Sequence, residues 1–85
     1  MKRVNIFYVL QMSWSKCENV VYVKDANTGT VCLDYNNAEV FDSIDLAENA
    51  VNVAFKQIAK KEDKQFFIQP VMIRETFEII DPYLK

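Results

Sequence analysis

Eighty-five residues with twelve acids, ten bases, no histidine and a net charge of −2 carry a small catalytic vocabulary. Apolar residues make up 51% of the chain and aromatics 13%, the composition of one packed domain (1–85) with a small core and not of a disordered segment. No apolar run reaches the roughly 18 residues that a bilayer span needs, and the acidic balance argues against a binder held mainly by phosphate charge.

Residues 3–12 alternate, with Val4, Ile6, Tyr8 and Leu10 on one face and Asn5, Phe7, Val9 and Gln11 on the other. A wholly apolar set backed by a half-apolar set suits a central strand. The basic opening has the start of a signal peptide, yet Asn5 and Gln11 interrupt its apolar stretch and no small-residue cleavage site follows. A soluble, cytoplasmic protein is therefore expected. Residues 19–24 and 30–35 are rich in β-branched and aromatic side chains. Between them lies Asp25-Ala26-Asn27-Thr28-Gly29, with the chain's single glycine where a hairpin loop wants positive φ.

Ser43 is the expected cap of a helix, with Asp42 competing. Asp45 and Glu48 fall in its first turns and Lys56, Lys60 and Lys61 in its last, each matched to the helix dipole. Ala47, Ala50, Val51, Ala54, Phe55 and Ile58 recur at steps of three and four and form its apolar stripe. Residues 62–64 read as a turn and 65–73 as a strand. Pro70 removes a ladder donor there and points to a sheet edge or a bulge. Residues 76–80 continue that strand or form a separate one, and Asp81-Pro82 ends it.

The order strand, strand, strand, helix, strand predicts a two-layer α+β domain. It has a mainly antiparallel four-stranded sheet (β-β-β-α-β) with one amphipathic helix packed on one face. The expected strand order is 4-1-2-3, with the last strand parallel to the first and a right-handed connection between them. Phe7, Val9, Val21 and Val23 are assigned to the second face, and an incompletely covered second face predicts a homodimer.

Catalytic patterns are missing. Without histidine, Ser13, Ser15 and Ser43 have no base to activate them, and one glycine is too few for a phosphate-cradling loop. Pairs such as Asp42 and Asp45, or Glu39 and Asp42, could only act together within a deep cleft, for which so short a chain has little room. Cys17 and Cys32 lack further soft ligands for zinc and read as reduced thiols. No enzymatic activity, metal or cofactor is expected.

Binding is the remaining class. Residues 25–55 hold six acids (Asp25, Asp34, Glu39, Asp42, Asp45, Glu48) and no Lys or Arg, so all ten bases lie elsewhere. Asp34, Glu39, Asp42, Asp45 and Glu48 are candidates for docking on a basic protein surface. On this reading Asp42→Lys costs about 1 kcal/mol through capping and dipole effects, while Asp34→Lys and Glu39→Lys, outside the helix, stay within about 0.5 kcal/mol. Trp14, expected in a loop past the first strand, is a further contact candidate, the alternative being a lid over one end of the sheet. Lys56, Lys60, Lys61 and Lys64, followed by Phe66 and Phe67, form the alternative face, suited to nucleic acid.

The segment Ala38-Glu39-Val40-Phe41-Asp42-Ser43-Ile44-Asp45-Leu46-Ala47 resembles a pattern of small phage and mobile-element accessory proteins, a hairpin leading into A-x-x-F-x-S-x-x-x-A, a helix and a final strand. The resemblance implies a protein acting inside a bacterium by binding, and modulating or inhibiting, a host protein such as a nuclease or defence component. It assigns no functional residue.

Overall fold

A computed structural model describes residues 2–14 and 19–78. In chain order these form β1 (Lys2–Trp14), β2 (Val20–Asp25), β3 (Thr30–Cys32), a single 3-10 turn (Tyr35–Asn37), α1 (Ile44–Ala59) and β4 (Phe66–Glu78). They make one antiparallel four-stranded sheet of order β3-β2-β1-β4 with one helix, a small α+β fold. The strand order is the expected one.

The direction of the last strand is not. β4 runs antiparallel to β1 along its whole length, from Trp14↔Phe66 to Lys2↔Glu78. The reason lies between β3 and the helix. β3 ends beside Tyr22, which is itself opposite Gln11. The chain then doubles back within the sheet layer. Glu39 N donates to the Val23 carbonyl, and Phe41 exchanges two backbone hydrogen bonds of 2.9 Å with Tyr8. The return expected of the helix is thus made by residues 38–41. The helix is left to carry the chain to the Trp14 end, from which β4 must run the other way. Among the described residues there is no parallel pair for the right-handed crossover rule to act on.

Ser43, not Asp42, caps α1: its extended backbone lets the side chain accept from Leu46 N at 3.2 Å. β3 stops short of the expected Tyr35 because Asp34 turns the chain, its carboxylate accepting from Asn36 N at 2.9 Å. β4 is a single strand through Glu78.

The pleat sends even-numbered β1 residues toward α1 and odd-numbered ones to the other face. Leu10, Met12, Val23, Ala26, Ala47, Ala54, Ile58 and Phe66 are the buried core under the helix. Ala47 and Ala54 are completely buried, and these small side chains let the helix sit close to the sheet. On the second face Phe7, Val9 and Ala38 form a smaller core with Tyr22, Cys32, Tyr35, Val71 and Ile73 packed against it. Val21 and Val23 were expected on this face and instead lie under the helix, because Val21 pairs with the even-numbered Met12. The same folded-back segment that reverses β4 also covers Phe7 and Val9. They are 9% and 0% exposed, so neither gives a reason to dimerise through this face.

Pro70 is on a sheet edge. Tyr8 aims its N–H and C=O at Phe41, away from β4, and so, two residues on, does Leu10. Pro70 lies opposite Leu10 and therefore turns its nitrogen outward, where a missing donor breaks no ladder bond.

β1 and β4 outrun the rest of the sheet. Beyond the Tyr8–Phe41 bridge, residues 2–7 pair only with 73–78 among the described residues, as a two-stranded ribbon. The radius of gyration is 16.0 Å, against about 12 Å for a compact domain of this length. The longest dimension is 58 Å.

Candidate functional site

The acidic block divides into carboxylates that hold the backbone and carboxylates that face water. Asp25 accepts from Asn27 N and Asp34 from Asn36 N, both at 2.9 Å, each closing a local turn. Glu39 reaches across thirteen residues to accept from Ala26 N at 2.9 Å. Ala26 is buried and Glu39 half-buried, so this bond ties the hairpin loop to the folded-back segment. The expectation that Glu39 and Asp34 can be reversed without loss is corrected here, since both side chains satisfy backbone donors. Glu39→Lys is expected to cost about 1–3 kcal/mol, because it strands a buried N–H. Denaturant unfolding beside Asp42→Lys will check it, with the Glu39 variant the less stable of the two.

Asp42, Asp45 and Glu48 are exposed around the start of α1. They are not alone there. Val40, Ile44 and Leu46 are 54%, 40% and 54% exposed, so the acids are interleaved with three large apolar side chains. Periodicity missed this because Ile44 falls on the stripe that Ala47 and Val51 continue and is nonetheless 40% exposed, while Leu46 falls outside it. The signal available was local: residues 40–48 hold more apolar side chains than one buried stripe can take.

Trp14 is the last residue of β1, paired with Phe66 and packed partly buried against the main core. It is not in a loop.

The basic group does not assemble with its aromatics. Lys61 Nζ donates to the Thr28 carbonyl at 2.9 Å, and Lys60 Nζ to Gln57 Oε1 at 3.4 Å. Lys56 and Lys64 are exposed. Phe66 is buried and stacks on Phe55 with ring centroids 4.7 Å apart. Phe67 is half exposed on the sheet face opposite α1, since it pairs with Ser13. A stacking platform beside these lysines is therefore not formed by Phe66 or Phe67.

Cys32 keeps a half-buried thiol that donates to the Asp34 carbonyl at 3.3 Å, and Cys17 lies outside the described residues. Among the described residues no group of three or more Cys, Asp or Glu is placed to hold a metal ion. None of their helices is long and apolar enough to cross a membrane.

Comparison with known proteins returns no match: no family model, no curated protein and no solved structure matches this chain.

Proposed function

We infer that this chain is a non-enzymatic protein-binding module. On this reading it is a phage-type accessory protein that acts in the bacterial cytoplasm and binds a host protein, modulating or inhibiting it. The observation that carries the reading is the surface at the start of α1, where exposed Val40, Ile44 and Leu46 stand among exposed Asp42, Asp45 and Glu48. Apolar contacts with a charged surround are what a non-obligate interface is built from. The single charge sign would select a basic partner surface and speed its encounter. A nuclease or other defence component, whose own surface is basic where it holds nucleic acid, fits that description.

The test separates charge from fold. Wild-type protein, Leu46→Asp and the double variant Asp45→Lys/Glu48→Lys are immobilised at physiological salt and exposed to bacterial lysate. One stoichiometric partner is expected on the wild type, with both variants losing it while their circular dichroism is unchanged. Equal recovery by all three proteins, or no partner for any, overturns the reading.

A further inference from the structure

We propose that the α1-side face of the β1–β4 ribbon, beside the start of α1, docks a basic amphipathic helix of a partner protein. The inference rests on the partner-binding reading above and names the element that the partner presents.

This face continues the one that α1 covers. The β1–β4 register runs without a break, so Val4, Ile6 and Met72 lie on the same side as Tyr8, Leu10 and Met12. Farther along β1 that side is packed under Ala47, Ala54 and Ile58. On the ribbon it is open, with Val4, Ile6 and Met72 at 47%, 50% and 58% exposure. α1 starts next to it. Phe41 pairs with Tyr8, and Ile44 opens the helix three residues later. Ile44 stands on the sheet-facing stripe with Ala47 and Val51 and is still 40% exposed, as expected of a side chain that reaches past the end of the packed core. Large apolar side chains scattered singly need no explanation, but these gather around one junction and mark a contact surface.

The surrounding charge selects a basic occupant. Ile44, Glu48, Val51 and Phe55 follow one another at steps of three and four, and Phe55 stacks on Phe66 of β4. Glu48 therefore lies on the flank of α1 that faces β4. Glu48 and Asp45 are both exposed, and residues 25–55 hold no Lys or Arg to neutralise them. An element laid on Val4, Ile6 and Met72 meets these carboxylates at its α1 end and needs Lys or Arg there. Arg74, opposite Ile6 and exposed on the same face, takes one acidic side chain of the occupant.

Shape selects a helix. Two paired strands make a track roughly 10 Å wide, close to the diameter of a helix. Residues 2–7 run for roughly 20 Å, a length filled by about thirteen helical residues. An apolar helical stripe is also what covers the rest of this sheet face. A second copy of the chain does not supply one. Among the described residues α1 is the one α-helix, and its stripe is buried in its own core.

The probe is a synthetic helical peptide of about fourteen residues, with leucines at steps of three and four and lysines on the flanks. It is titrated into isotope-labelled protein, beside a control peptide with glutamate in place of every lysine. Saturable shifts are expected in the resonances of residues 4–8, 44–48 and 72–76, with the lysine peptide binding at least tenfold tighter and weakening as salt is raised. Ile6→Asn and Met72→Lys are each expected to weaken it at least tenfold with circular dichroism unchanged. Phe67→Ser, on the opposite sheet face, is expected to stay within twofold. Shifts centred elsewhere, equal affinity for the glutamate peptide, or full binding by both Ile6→Asn and Met72→Lys overturns the inference. These outcomes do not depend on finding a partner in lysate. If wild type and Ile6→Asn capture the same lysate partner equally, this inference falls while the partner-binding reading stands.

Discussion

Gly29→Ala is expected to lower stability by about 2–4 kcal/mol, from two costs that add at one residue. Gly29 has φ of +72°, a left-handed conformation that an L side chain enters at a cost of roughly 1–2 kcal/mol. A Cβ built there would stand 3.0 Å from both the carbonyl carbon and the Cβ of Gln57, and 3.1 Å from Ile58 N. Two of those atoms are helix backbone, so no rotamer change makes room. Relief requires moving the hairpin loop off the C-terminal turns of α1, and that motion also stretches the bond from Lys61 to the Thr28 carbonyl. A thermal melt is expected to shift down by at least about 10 °C. A shift within 2–3 °C, roughly half a kilocalorie, would mean that the loop does not press on the helix.

Leu10→Ala is expected to cost about 2–5 kcal/mol. Leu10 is wholly buried in β1, between the sheet and α1, among the residues of the main core. Its neighbours are held by paired strands on both sides, so the cavity has little freedom to collapse. For a domain with roughly 5–15 kcal/mol in hand, that is a large share of the whole. Chemical denaturation at matched m-value is the measurement. A loss below about 1 kcal/mol would show that the core repacks more freely than its burial implies.

Much of this architecture is legible in the residues because its signals are local. Ser43 sits one residue before an apolar stripe of period 3.6, and Gly29 sits between two β-rich runs, so the helix and the hairpin can be read without knowing what they touch. Pro70 gives away its edge position by lacking a donor. The direction of β4 is different in kind. It depends on a short backtrack at residues 38–41, whose evidence is a two-bond bridge between Phe41 and Tyr8 thirty-three residues apart, and no pattern in either segment announces it. Val21 and Val23 were assigned to the wrong face because Val20, Val21, Tyr22 and Val23 are all apolar, leaving no alternation to read. Glu39 shows the same limit at the candidate site. A carboxylate that caps a backbone amide thirteen positions away looks, in sequence, like any other surface acid. The A-x-x-F-x-S-x-x-x-A segment has a structural reading too: Ala38 is buried, Phe41 bridges and packs on the core, Ser43 caps and Ala47 is fully buried.

The register of β1 with β4 also sets the order in which the molecule can assemble. The longest ladder joins residue 2 to residue 78 and closes toward Trp14↔Phe66, so even its nearest rungs enclose a loop of some fifty residues. Closing such a loop spends chain entropy before any of its contacts respond. During synthesis β1 emerges first and keeps one of its two hydrogen-bonding edges unpaired until the last strand is made. The hairpin of β2 and β3 and the helix, both local, have time to form ahead of it. The half-built protein is then an apolar central strand with its β4 side open, which is the species most exposed to mispairing with a neighbouring chain. Synthesis rate and crowding thus bear on the yield of this fold more than its small size would imply.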